Sequence, residues 1–185
     1  MNNRLWGSRV YLAGPMDRVP DGGIVWRYNI TPKLQSHGIV VLSPTNKPID
    51  IGIEGKDCQV ELTDNSTDED YDKEATRVRL LRVIDLRMVD LADFLIVYID
   101  PNTHLCGSYE ELFTANSTKK PILVMIEGGK YRTPRWLLGT IPHQMIFGNW
   151  DDLLEYIRHV DEDVDVEHRK RWTWFKYKEM LPNGI

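Results

Sequence analysis

Phe94-Leu95-Ile96-Val97-Tyr98-Ile99 is a continuous apolar run set between two aspartates, Asp93 and Asp100. A strand that is apolar on both faces needs cover on both, and a parallel sheet flanked by helices provides it. The remaining chain supplies suitable neighbours. Arg9 to Ala13 is a short apolar run stopped by Gly14-Pro15, which reads as a buried first strand. From about residue 23 to 37, Trp26, Ile30 and Leu34 recur four apart on one helical face, and Gly38 closes the helix. Pro32 either kinks that helix or sits in the first turn of a fresh one. Ile39 to Leu42 reads as a second strand, ended by Ser43-Pro44. From about Asp72 to Leu91 the residues Val78, Leu81, Ile84 and Met88 form a helical stripe. A helix over Ser108 to about Ser117, a strand over Pro121 to Met125, a short strand over Met145 to Phe147 and a helix from Trp150 to Val160 complete the series. This alternation predicts an α/β fold, doubly wound, flavodoxin-like or Rossmann-like, with a parallel sheet of about five strands.

The 185 residues suit one domain with a sizeable core, spanning residues 1–160, followed by a tail over 161–185. A net charge of −5 argues against broad binding to nucleic acid polymers or anionic membranes, while leaving room for a nucleotide in a local cationic pocket. No apolar run approaches the ~20 residues of a membrane span, and residues 1–9 lack a signal-peptide core. Cys58 and Cys106 show no metal spacing and read as reduced thiols, so a cytoplasmic protein is expected. Residues 45–70 show no period and form either a solvated loop or a lid. The tail packs Trp172, Trp174, Phe175 and Tyr177 among basic residues, which predicts docking on the body or on a partner subunit of a homo-oligomer rather than an RNA-binding arm.

Two segments carry chemistry. Val10-Tyr11-Leu12-Ala13-Gly14-Pro15 is a strand ending in a tight turn, and Cys106-Gly107-Ser108-Tyr109-Glu110-Glu111-Leu112 runs from a turn into a helix. In an open parallel sheet both lie outside the carboxyl ends of the strands, where ligands bind. Ser108-x-x-Glu111 matches a capping box, with Glu111 reaching back to the helix start. The same placement suits a rigid, ionised carboxylate nucleophile in the positive potential of a helix N-terminus, and both readings stand. Glu110 cannot share its direction, because the helix turns roughly 100° per residue. Asp85 lies inside an apolar stripe, where an unpaired charge is costly, so it either caps buried backbone groups or faces a ligand. Asp100, at the carboxyl end of its strand, is placed for ligand contact. Neither G-x-G-x-x-G nor a P-loop is present, Ser108 has no G-x-S-x-G setting, and the five histidines show no metal-ligand spacing.

Tyr11-Leu12-Ala13-Gly14-Pro15-Met16 resembles the opening motif of the nucleoside 2-deoxyribosyltransferase family. Asp72-Lys73-Glu74, Asp85-Leu86 and Ala92-Asp93-Phe94 follow in the family's order, and Gly107-Ser108-x-x-Glu111-Leu112-x-x-Ala115 resembles its catalytic segment. The resemblance spans residues 10–125. It implies Glu111 as nucleophile on C1′ of the sugar, Tyr11 as the group orienting it, and Asp85 as the acid near the base. Gly14, Pro15, Met16, Asn46, Asp100, Gly107 and Ser108 would contact substrate. It also implies a double displacement through a glycosyl-glutamate, with a nucleoside or nucleotide and a free nucleobase as partners and no cofactor or metal. Two alternatives are a nucleoside 5′-monophosphate N-glycosidase of the same fold, for whose phosphate the amides near Ser108 with Arg18 or Arg27 are candidates, and a non-catalytic nucleotide-binding module.

Overall fold

The computed structural model describes residues 3–17, 19–47, 62–162, 164 and 170–172. Five strands, β1 (Arg9–Ala13), β2 (Val40–Leu42), β3 (Phe94–Ile99), β4 (Ile122–Ile126) and β5 (Ile146–Phe147), form one sheet in the order β2-β1-β3-β4-β5. Every pairing is parallel, with Tyr11 beside both Leu42 and Leu95. The helices are α1 (Ile24–Gln35), α2 (Asp68–Leu91), α3 (Cys106–Ser117), the single turn α4 (Arg135–Leu138) and α5 (Trp150–Asp161). The doubly wound α/β fold expected from the sequence is present. Val10, Leu12, Phe94 to Val97, Ile99 and Ile122 to Val124 are fully buried, as strands covered on both faces must be.

Helices α2 and α3 pack on each other and against β1. The right-handed crossover from β1 to β2 puts α1 on the opposite face, and α5 joins it there: Trp26 stacks on Trp150 at 5.6 Å and meets Tyr98 of β3 at 5.3 Å. Trp172 is buried beside α5, its indole Nε1 donating to Tyr156 Oη at 3.1 Å and its ring 5.3 Å from that of Phe94. None of the described helices is long and apolar enough to cross a membrane.

Three local outcomes refine the sequence reading. Helix α1 runs through Pro32 as one element, so the alternative of a fresh helix starting there is not the one found. Helix α2 begins at Asp68, four residues earlier than the apolar stripe suggests. There Thr67 and Asp70 form a capping box, and Asp68, Glu69 and Asp70 place negative charge against the helix N-terminus. An acidic run that reads as loop is thus a first turn. Val78 of the expected apolar stripe is exposed, whereas Leu81, Asp85 and Met88 are buried, so only the C-terminal half of α2 is seated on the body. Of residues 45–70, positions 48–61 lie outside the described residues.

The C-terminus of α2 is closed by a side chain from elsewhere. Lys120 Nζ donates to the carbonyls of Val89 (2.7 Å) and Ala92 (2.6 Å) and also to that of Asp90. One ammonium therefore serves carbonyls that a helix end leaves unpaired, and it opposes the negative end of the dipole. Burial of the ammonium lowers its pKa. Lys120→Met should lower stability by about 1–3 kcal/mol. A urea midpoint that falls with an unchanged slope is the expected reading.

Candidate active site

Glu111 is placed by the way α3 starts. The helix begins at Cys106 after Leu105, which provides no side-chain cap, so Ser108 is the third helical residue and buried. Glu111 therefore lies beyond the first turn, and the capping box suggested by Ser108-x-x-Glu111 does not form. The carboxylate is instead held across the fold: Tyr11 Oη donates to Glu111 Oε1 at 2.6 Å. That length is typical of a charge-assisted O–H···O⁻ bond. Glu110, one position earlier, turns away to pair with Arg82 of α2.

Tyr11 is fully buried on β1. Burial pushes its phenol well above the ordinary tyrosine range, and the charges of Glu111 and Asp85 push it further, with Arg27 opposing. The hydroxyl thus remains a donor throughout the neutral range. Both carboxylates are thus near enough to Tyr11 for their charges to act on its phenol.

Asp85 enters from the buried side of α2, with its side chain 11% exposed. Its Oδ1 stands 2.9 Å from Nζ of Lys47, whose side chain is wholly buried. The alternative of a purely backbone-capping Asp85 gives way to an ion pair. Lys47 follows β2 through a tight turn in which Asn46 N donates to Ser43 O at 3.0 Å and Ser43 and Thr45 share a hydroxyl hydrogen bond. Sequence reasoning selected Asn46, which is exposed, and passed over Lys47 next to it. The only cue was a lysine directly after a strand-end turn, in a segment that shows no period.

The turn after β1 is shaped by Arg27 of α1, itself 2% exposed. Its guanidinium donates to the carbonyls of Leu12 (3.2 Å), Gly14 (3.0 Å), Pro15 (3.4 Å) and Gly23 (2.7 Å). Arg27 is therefore engaged with main chain, which removes one of the two phosphate ligands suggested by the sequence; Arg18 lies outside the described residues. Two glycines permit this arrangement. A Cβ on Gly14 would stand 2.7 Å from the Trp26 ring, and one on Gly23, at φ 73°, would stand 2.1 Å from Pro15 O.

The structure thus links Tyr11 to Glu111 by a hydrogen bond and Asp85 to Lys47 by an ion pair, with both carboxylates acting on the Tyr11 phenol. Met16 is half-buried just beyond the Gly14-Pro15 turn. Asp100 accepts from Asn102 N (2.9 Å), Asn102 Nδ2 (3.0 Å) and Thr103 Oγ1 (3.1 Å), so its carboxylate organises its own loop. Gly107 is exposed, and a Cβ there would meet open space. Among the described residues no group of three His, Cys, Asp or Glu is placed to hold a metal.

No family model matches this sequence, and no curated protein matches it either. Similar solved structures do exist. A 2-deoxyribosyltransferase from the psychrotolerant bacterium Bacillus psychrosaccharolyticus superposes with a TM-score of 0.51 at 18% identity, over 80% of this chain and 92% of that one. A conserved protein from Enterococcus faecalis V583 superposes with a TM-score of 0.51 at 14% identity, over 82% of this chain and 98% of that one. At these identities the likeness is one of architecture: the chain has the doubly wound α/β fold found in a 2-deoxyribosyltransferase.

Proposed function

We propose that the protein transfers a 2-deoxyribosyl group between nucleobases, with Glu111 as nucleophile. The observation that carries this reading is the 2.6 Å bond from Tyr11 Oη to Glu111 Oε1, made between residues 100 positions apart. The carboxylate that the sequence offers as a helix cap is held instead by a fully buried phenol. Such rigidity suits attack at a sugar carbon. In the first step the C1′–N bond breaks and its electron pair goes to the base. A Glu111 oxygen forms the new C1′–O bond, as in retaining glycosidases. Asp85 gives a proton to the departing base and takes one from the incoming base in the second step. In the second step the nitrogen of an incoming base attacks C1′, and Glu111 leaves as carboxylate. Gly14, Pro15, Met16, Asn46, Asp100, Gly107 and Ser108 are the proposed substrate contacts, and water excluded from the site favours transfer over hydrolysis.

The nucleotide N-glycosidase alternative loses support because Arg27 is engaged with four carbonyls. The test is incubation with a deoxynucleoside, with and without an abundant second base, followed by separation of the products. Exchanged nucleoside should exceed free deoxyribose when the second base is present. Free sugar as the main product, formed only from a 5′-phosphate, would replace this reading with the N-glycosidase.

Glu111→Gln keeps the shape and an acceptor for Tyr11 while removing the nucleophile. Turnover should drop on the order of 10⁴-fold or more, with a melting curve close to the parent's because Glu111 is not a cap. A folded variant that still releases base would refute the assignment.

Tyr11→Phe should cost about 1.5–3 kcal/mol of Glu111 positioning, or roughly 10–150-fold in turnover. It also carries a pH signature. The folded phenol is raised well above its unfolded value, so the unfolded chain ionises first, and stability falls as pH climbs past about 10. The variant should lose less stability than the parent over that range, with the raised phenol of Tyr98 accounting for part of what remains. Denaturant midpoints at stepped alkaline pH check this.

A further inference from the structure

The proposed chemistry leaves one buried cation without a role. Lys47 Nζ lies 2.9 Å from Asp85 Oδ1, with no exposed surface on the lysine side chain. Burying an ammonium is costly unless it meets a fixed negative charge, and this one is delivered by a closed turn at the carboxyl end of β2. It reaches the carboxylate that the proposed reaction uses for the base. We propose that Lys47 is a positioning residue: it holds Asp85 in place and favours its ionised form, so that once the first base has left with the Asp85 proton the site presents a proton acceptor to the N–H of an incoming nucleobase. The inference rests on the transferase reading above and deepens it, since an incoming free base must lose a ring proton as its nitrogen bonds to C1′. That proton passes to Asp85, the new C1′–N bond takes the nitrogen's electron pair, and the C1′–O pair returns to Glu111. The proton that Asp85 gains in this second step is the one that it gives to the departing base in the first step of the next turnover, so the pair serves both steps. Ligands with a ring N–H at the attacking nitrogen fit; bases alkylated at that position do not.

The groups facing Asp85 support this. Lys47 comes from the turn after β2, Tyr11 from β1, and Glu111 from α3 through its bond to Tyr11. The other cations on that face of α2 are engaged with carboxylates, Arg77 with Glu74 and Arg82 with Glu110. Near two carboxylates, loss of the lysine charge disfavours ionisation of Asp85 through both like-charge repulsion and burial.

The experiment compares the parent, Lys47→Met, Asp85→Asn and the double variant as full-length chains. Asp85 is titrated by ¹³C NMR of aspartate-labelled protein, with Asp85→Asn as the assignment control, and base exchange is followed across the same pH range. In Lys47→Met the Asp85 midpoint should rise by about one pH unit or more, and the Asp85-dependent limb of the exchange profile should move with it. The double variant should melt higher than Lys47→Met alone, because it no longer buries a carboxylate without its cation. An unmoved Asp85 midpoint in folded Lys47→Met overturns the proposal, as does activity lowered uniformly across pH with the profile unshifted. If Lys47→Met does not fold, the double variant decides: recovery of the fold supports the pairing, and failure to recover it overturns the pairing. The titration makes no use of turnover. A raised midpoint in a protein that transfers nothing would uphold the pair and remove the transferase reading.

Discussion

Strands β1 and β3 lie side by side, and their chains leave the sheet in opposite directions. From β1 the path goes to β2 at one edge, and from β3 it goes to β4 and β5 at the other. In such sheets this divergence opens a crevice at the carboxyl ends. The register sets Tyr11 beside Leu95, and Glu111 meets the Tyr11 phenol from α3, which follows β3. Remove the adjacency of these two strands and the tyrosine, the glutamate and the Gly14-Pro15 turn have no common neighbourhood.

The charge pattern around that crevice is economical. Two carboxylates, Glu111 and Asp85, approach one face of the sheet, and each has a different partner. A phenol kept protonated by burial donates to Glu111, and an ammonium with no exposed side chain pairs with Asp85. The two acids are thereby made chemically distinct: one is oriented by a neutral donor, the other neutralised by a cation. Pairs of titratable groups set in unlike environments are how a single pocket separates a nucleophile from a proton carrier.

Much of this was legible in the chain. The β-α-β alternation predicts the sheet because strands buried on both faces are apolar throughout, and Asp85 stands out as a charge in an apolar stripe. The start of α3 was not legible. Ser108-x-x-Glu111 satisfies a local capping pattern, yet the helix begins at Cys106 and Ser108 is buried. Tertiary placement overrides the local motif: the helix starts before Ser108, and Glu111 bonds a buried phenol. Lys47 was hidden for the opposite reason. It belongs to no periodic element, and only the fold shows that the turn after β2 points its side chain at α2. The acidic run before Asp72 misled because charge reads as solvation, although at a helix N-terminus it is also favourable electrostatics.

Arg27 has a consequence beyond the turn it supports. One guanidinium serves carbonyls at Leu12, Gly14, Pro15 and Gly23 at once, so the connection from β1 to α1 is measured against a rigid, planar template. Insertion or deletion between Pro15 and Gly23 would move one set of carbonyls away from the other and leave buried donors unmatched. The loop's length is thus locked to a side chain, much as a mould sets the size of a casting. The turn carrying Asn46 and Lys47 has no such template across it, and is held by short bonds among its own residues.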